Sequence, residues 1–239
     1  MTLRRSLSLA VAALAIPALL AACSSGAGAD AATLPPIPSA APATPTAAPT
    51  HPGPTYPPGC PPEQPAPLAK GETRTVTITT DKGEIVIKVE ADLSPIAAGN
   101  FVALADCGYY DGVVFHRLVP GFVIQGGDGQ FGRSPDVIPD LVGSGGPRYT
   151  IKDEPVTVPY TRGTLAMAKT QNPDSANSQF FIVLADLRSD DLKPVYQIFG
   201  HVTTGMDVVD TIAAMPNSGP PANAATDPVP MTKVTVATP

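Results

Sequence analysis

No basic stripe and no clustered run of lysine or arginine occurs anywhere in the 239 residues. Nucleic-acid binding leaves such an electrostatic footprint, so its absence argues against a nucleic-acid partner. The balance is acidic instead, with 15 basic against 21 acidic residues and a formal charge of −6. Histidine and cysteine are scarce, at three each. His51, His116 and His201 are scattered, and no Cys or His pair stands at metal-ligand spacing, so no metal site is read. There is no nucleophile elbow and no phosphate loop ending in Lys-Ser or Lys-Thr. Gly126-Gly127-Asp128-Gly129 resembles a phosphate cradle only superficially and reads as a turn. Long apolar runs are missing as well. The stretch from Leu7 to Leu20 falls short of the roughly 20 residues that a membrane-crossing helix needs.

What is present is unevenly distributed. Of the 30 prolines, 14 fall between Ser24 and Ala69, among Ala and Thr and with few large apolar residues. Such a segment cannot bury enough apolar surface to offset its ordering entropy, and it reads as a disordered, semi-extended tether over residues 23–69. From about Lys70 to Pro239 the chain is rich in Val, Ile, Leu and Phe with glycine-marked turns, enough for one self-sufficient core. Residues 1–22 read as an export signal: Arg4 and Arg5 precede the apolar stretch. It ends in Leu20-Ala21-Ala22-Cys23, which resembles the lipobox of bacterial lipoproteins, with Cys23 lipidated. The alternative is an ordinary secretory signal in which a cysteine falls at that spot. Without the first 22 residues, 13 basic and 21 acidic residues remain, a charge of −8. Cys60 and Cys107 are an even pair in an exported setting and make a disulfide candidate; two unpaired thiols are the other reading.

Thr75–Thr79 and Glu84–Val89 alternate polar and apolar residues around Asp81-Lys82-Gly83, a hairpin signature. Ser94-Pro95 reads as N-cap and first residue of a helix that Gly108 stops. Short apolar runs follow at 113–115, 122–125, 164–168, 180–184 and 197–202, then a second amphipathic helix near Met206–Ala214 and a last strand at 232–236. Many short strands with two helices give an all-β barrel or sandwich.

Two segments carry the functional signal. One runs Val114-Phe115-His116-Arg117-Leu118-Val119-Pro120-Gly121-Phe122-Val123-Ile124-Gln125-Gly126-Gly127-Asp128. The other runs Gly163-Thr164-Leu165-Ala166-Met167-Ala168-Lys169, then Asn177-Ser178-Gln179-Phe180-Phe181-Ile182. Both closely resemble the signature blocks of cyclophilins, in the expected order, and Tyr196–Gly200 resembles that family's later strand. The likeness spans about 75–236. It implies a closed eight-stranded antiparallel barrel with a helix over each open end, and peptidyl-prolyl cis-trans isomerase activity needing no cofactor or metal.

By that resemblance Arg117 is the catalytic guanidinium, with Gln125 and Gln179 holding it and the substrate backbone. Phe122, Val123, Phe181 and Leu192 form the proline pocket, Tyr196 sits at its rim, and Ala168 and Lys169 meet the peptide backbone. Read alone, Arg117 is as well a surface or salt-bridging arginine. His116 reads as a packed, hydrogen-bonded structural residue. The departures are Val123 for a common Met, Lys169 for a common Asn and Tyr196 for a common His. The chain also has no Trp at all, which bears on cyclosporin binding more than on catalysis. The stretch Gly129–Gly146 is longer than the simplest family loop and carries no assigned role. The expected partners are proline-containing unfolded or flexible polypeptides, met by a monomer fixed to a membrane through the lipid on Cys23. A tethered binding or chaperone module without turnover is the alternative to the enzyme.

Overall fold

The computed structural model describes residues 57–237. The export segment 1–22, Cys23 and the tether as far as residue 56 lie outside the described residues. The hairpin forms as the alternation predicts: β1 (Thr73–Thr80) pairs antiparallel with β2 (Gly83–Glu90). Next come α1 (Pro95–Asp106), β3 (Val114–Val119), β4 (Val123–Gly126), β5 (Thr164–Met167), β6 (Phe180–Val183), β7 (Ile198–Thr204), α2 (Met206–Ala213), β8 (Ala224–Pro230) and β9 (Lys233–Ala237).

The strands form one curled antiparallel sheet in the order β8-β3-β4-β6-β5-β7-β2-β1-β9. Nine strands stand where eight are expected, because Met231-Thr232 divides the final extended stretch into β8 and β9 at opposite ends of that order. Among the described residues no ladder joins those two ends, so the sheet is curled, not closed by hydrogen bonds. β8 is the strand that sequence reading omits. Its composition, Ala-Ala-Thr-Asp-Pro-Val-Pro, argues against a strand, yet prolines are tolerated on an edge whose outer N–H groups need no partner.

The two faces of the sheet have separate jobs. On one, α1 lays Phe101 among Tyr110, Phe180 and Phe199, with ring centroids 4.8–5.2 Å apart. On the other lies a smaller cluster of Val123, Tyr160, Ala166, Phe181, Val183 and Ile198. Alternation along single strands explains the division: in β6, Phe180 and Ile182 enter the main core, while Phe181 and Val183 enter the second cluster.

Ser94 occupies the N-cap position of α1, but its side chain makes no cap bond and its buried hydroxyl lacks a partner among the described residues. The carboxylate of Glu154 does that work instead, accepting Ile96 N and Ala97 N at 2.8 Å each. An acid at a helix N-terminus satisfies free N–H groups and favours the dipole. Burial raises the Glu154 pKa despite these bonds.

Residues 57–69, assigned to the tether by composition, are packed onto this unit. Cys60 and Cys107 are disulfide-bonded, Leu68 N donates to Pro95 O (3.1 Å), and Lys152 N donates to Gln64 Oε1 (3.1 Å). The strap lies so close to α1 that a Cβ on Gly99 would sit 2.3 Å from Ala66 O. Six of its thirteen residues are prolines, so few N–H donors need partners there. The packed unit therefore starts before residue 70.

Candidate active site

Arg117 reaches the second face through an irregularity. Phe115 and Leu118 both belong to the main core, a spacing that strict alternation forbids. The ladders shift register between Phe115 and Arg117 on both sides of β3, leaving His116 as the extra residue of a bulge. Bulges re-aim side chains, and this one sends Arg117 away from Phe115 and toward the second cluster. Among the described residues no carboxylate pairs with the guanidinium, so the salt-bridging reading falls and its charge stays uncompensated. Its side-chain contact is with Gln125, Nη1 to Oε1 at 3.5 Å. Gln125 Nε2 in turn donates to Gln179 Oε1 at 3.1 Å.

Around Arg117 lies a cleft of about 330 Å³ lined by Phe122, Val123, Gln125, Ala168, Lys169, Phe181, Leu192 and Tyr196. Gln179 lines the adjoining hollow with Gln125, Ala168 and Lys169. The structure thus brings all ten residues named from sequence onto one stretch of surface. Phe181 and Tyr196 meet edge to face at 5.5 Å and wall one side of it. The Lys169 ammonium is drawn into an ion pair with Asp153, and its side chain is largely buried. Ala168 N is spent on Gln179 O (2.8 Å).

Sequence reading missed Tyr160. Its hydroxyl donates to Tyr196 O (2.8 Å) and accepts from Tyr196 N (3.0 Å), fixing the backbone of the rim residue. Burial, the larger cause, pushes its pKa up to about 12, so the hydroxyl stays protonated to donate. No local motif marks Tyr160, because its partner lies 36 residues away. His116 is packed as expected, but among the described residues neither of its buried ring nitrogens has a hydrogen-bond partner. The Val114 backbone faces the ring, favouring protonation weakly from outside hydrogen-bond geometry. Desolvation outweighs it and, with Arg117 adding to it against Asp128, lowers the His116 pKa to about 4.

A cleft floored by aromatic and aliphatic side chains and edged by an unpaired guanidinium and two amides suits an apolar group that carries hydrogen-bonding atoms. The family described as cyclophilin type peptidyl-prolyl cis-trans isomerase/CLD matches residues 75–236. A peptidyl-prolyl cis-trans isomerase of Acinetobacter baylyi is 41% identical over 147 residues, covering 60% of this chain and 73% of that one. Peptidyl-prolyl cis-trans isomerase B of Escherichia coli is 39% identical over 144 residues, 57% and 82% of the two chains. A crystal structure of a Cryptosporidium parvum cyclophilin type peptidyl-prolyl cis-trans isomerase, determined in the presence of the dipeptide Ala-Pro, superposes with a TM-score of 0.58 at 30% identity. It covers 69% of this chain and 99% of that one. This chain belongs to the cyclophilin-type peptidyl-prolyl cis-trans isomerase family.

Proposed function

We propose that the enzyme accelerates cis-trans isomerisation of X-Pro bonds in exported polypeptides at the cell envelope, as a monomer held there by a lipid on Cys23. The observation that carries the chemistry is the unpaired Arg117 guanidinium at the edge of the apolar cleft. Rotation about an X-Pro bond breaks no covalent bond; its barrier of about 18–20 kcal/mol is lost amide resonance. Catalysis requires favouring the twisted amide over both planar forms. Twisting returns a lone pair to the prolyl nitrogen, and a fixed guanidinium donates a hydrogen bond to it only then. Phe122, Val123, Phe181 and Leu192 grip the proline ring, with Tyr196 at the rim, while the preceding carbonyl swings. Gln125 holds Arg117, and Gln179 and the Ala168 carbonyl take the peptide backbone beside Lys169. The Ala-Pro dipeptide used with the C. parvum relative supports a proline peptide as the ligand.

The purpose fits the address. Uncatalysed X-Pro isomerisation takes tens of seconds or longer and limits folding. A multiply acylated N-terminus is a stable anchor, each buried methylene contributing about 0.8 kcal/mol. Exchange NMR on an X-Pro peptide tests the activity: wild-type protein collapses the cis and trans signals at sub-stoichiometric amounts. Shifted peptide resonances without exchange would instead identify a tethered binding or chaperone module. For the anchor, Cys23→Ala moves the protein from the membrane to the soluble fraction of the producing cell, and an unchanged membrane fraction overturns that part.

A further inference from the structure

The long loop between β4 and β5 begins at Asp128, whose side chain is fully buried. Its Oδ1 accepts Gln130 N (3.0 Å) and Phe131 N (2.9 Å), and its Oδ2 accepts Gly143 N (2.7 Å) and Gly145 N (2.9 Å). A buried carboxylate is costly unless its lone pairs are met, and here four N–H groups meet them. Both ends of its 129–146 stretch are thereby gathered around one side chain. The approach is close enough to require glycine, since a Cβ on Gly145 would lie 2.6 Å from Asp128 Oδ1 and 2.7 Å from Gln130 Cβ.

Pinning those N–H groups aims the neighbouring carbonyls. Gly143 O and Gly145 O both accept from Gln179 Nε2, at 3.0 and 2.8 Å. An amide nitrogen only donates and an amide oxygen only accepts, so two carbonyls decide which way round Gln179 stands. Its Oε1 then faces Gln125 and takes the Nε2 hydrogen there (3.1 Å). Gln125, its nitrogen spent, turns Oε1 toward Arg117. With the row reversed, Gln125 would present an NH2 to the guanidinium, donor against donor.

We propose that Asp128 and the 129–146 loop are the positioning element of the isomerase site, fixing the polarity of the Gln179–Gln125 row so that an acceptor oxygen holds Arg117. The inference rests on the reading of Arg117 given above. Asp128 does not line the cleft; it acts through the loop carbonyls and is a positioning residue.

Two variants of the full chain test it. Asp128→Asn keeps the shape but turns one acceptor into a donor facing two N–H groups. Gly145→Ala keeps the carboxylate and drives a methyl into it. Each is followed by circular dichroism, by the 15N side-chain amide resonances of Gln125 and Gln179, and by kcat and KM on an X-Pro peptide. In the folded variants both amide pairs shift and exchange faster, and kcat falls about tenfold to a hundredfold, as for a misplaced reacting group. Should Asp128→Asn fail to fold, Gly145→Ala decides. Unchanged kcat in a folded variant overturns the proposal, and so does a loss of kcat with both amide signals undisturbed. Arg117→Ala is run beside them: wild-type turnover in that variant removes the Arg117 reading, and the amide signals still report separately whether the loop orients the glutamines.

Discussion

The side-chain oxygen of Gln125 faces Nη1 of Arg117 at 3.5 Å, a contact at the long limit of hydrogen bonding. It steadies the guanidinium without neutralising it, because the facing group is a neutral amide. On the proposed mechanism, replacing Arg117 by Ala removes the donor to the twisted state, so kcat is expected to fall by about two to three orders of magnitude while KM moves little. Arg117→Lys retains a charge but not the rigid planar fork, and it recovers only part of the loss. Exchange NMR on an X-Pro peptide measures both, and near-wild-type kcat in Arg117→Ala would remove the mechanism.

Tyr160→Phe separates binding from turnover. The buried hydroxyl serves both the N–H and the carbonyl of Tyr196, and its loss leaves those groups short of partners. The expected cost is about 1–3 kcal/mol of stability. Loosening the rim residue weakens the grip on the ring in ground and transition states alike, so KM rises and kcat holds. Titration with Ala-Pro, read by chemical shift, checks the affinity. A lowered kcat at wild-type KM would contradict this role.

Local pattern makes some of this architecture legible and hides the rest for physical reasons. The β1–β2 hairpin and the two sides of β6 follow from period-two alternation, which each strand carries in its own residues. The facing of Arg117 does not: alternation from Phe115 would put it in the core, and the bulge at His116 depends on how β3 pairs with the adjacent β4 and with β8, far along the chain. It is the resemblance of the Phe115–Asp128 block, not periodicity, that picks out Arg117, Phe122 and Gln125. Glu154 as the cap of α1 is 58 residues from Ile96, and Ser94 supplies a locally plausible substitute that the fold does not use. The strap at 57–69 misleads in the same way, since composition reports only what a segment buries by itself. This one is held by a covalent bond and the surface of α1.

The Cys60–Cys107 bond ties that strap across 47 residues. By chain-entropy reasoning, closing a loop of that length in the unfolded chain is worth up to about 4 kcal/mol, and 2–4 kcal/mol is usual. Urea unfolding followed by circular dichroism is expected to shift to lower urea when a reductant is added. Hydrogen exchange should show residues 57–69 opening before the sheet. The bond does not touch the cleft, so turnover persists in the reduced protein. An unchanged midpoint on full reduction would count against this accounting.

His116 makes stability depend on pH. In the unfolded chain an imidazole takes up its proton near pH 6.5; in the fold, burial delays this to about pH 4. The charged groups facing it are Asp128, which favours protonation, and Arg117, which opposes it. The unfolded state therefore binds more protons between those values. The stabilising contribution is full above pH 6.5 and is lost as pH falls through 4, at roughly 1.4 kcal/mol per pKa unit and so about 3 kcal/mol in total. Glu154, whose folded pKa is raised by burial, works in the opposite direction: its contribution is full below the ordinary carboxylate pKa and is lost as pH rises through the raised one. Comparing wild type with His116→Gln cancels Glu154 and every other group common to both. The difference in unfolding free energy between the two should change by about 3 kcal/mol from pH 7 to pH 4, wild type losing more. Parallel stability curves would mean that the buried ring is protonated as readily in the fold as outside it, and that an acceptor reaches it in solution.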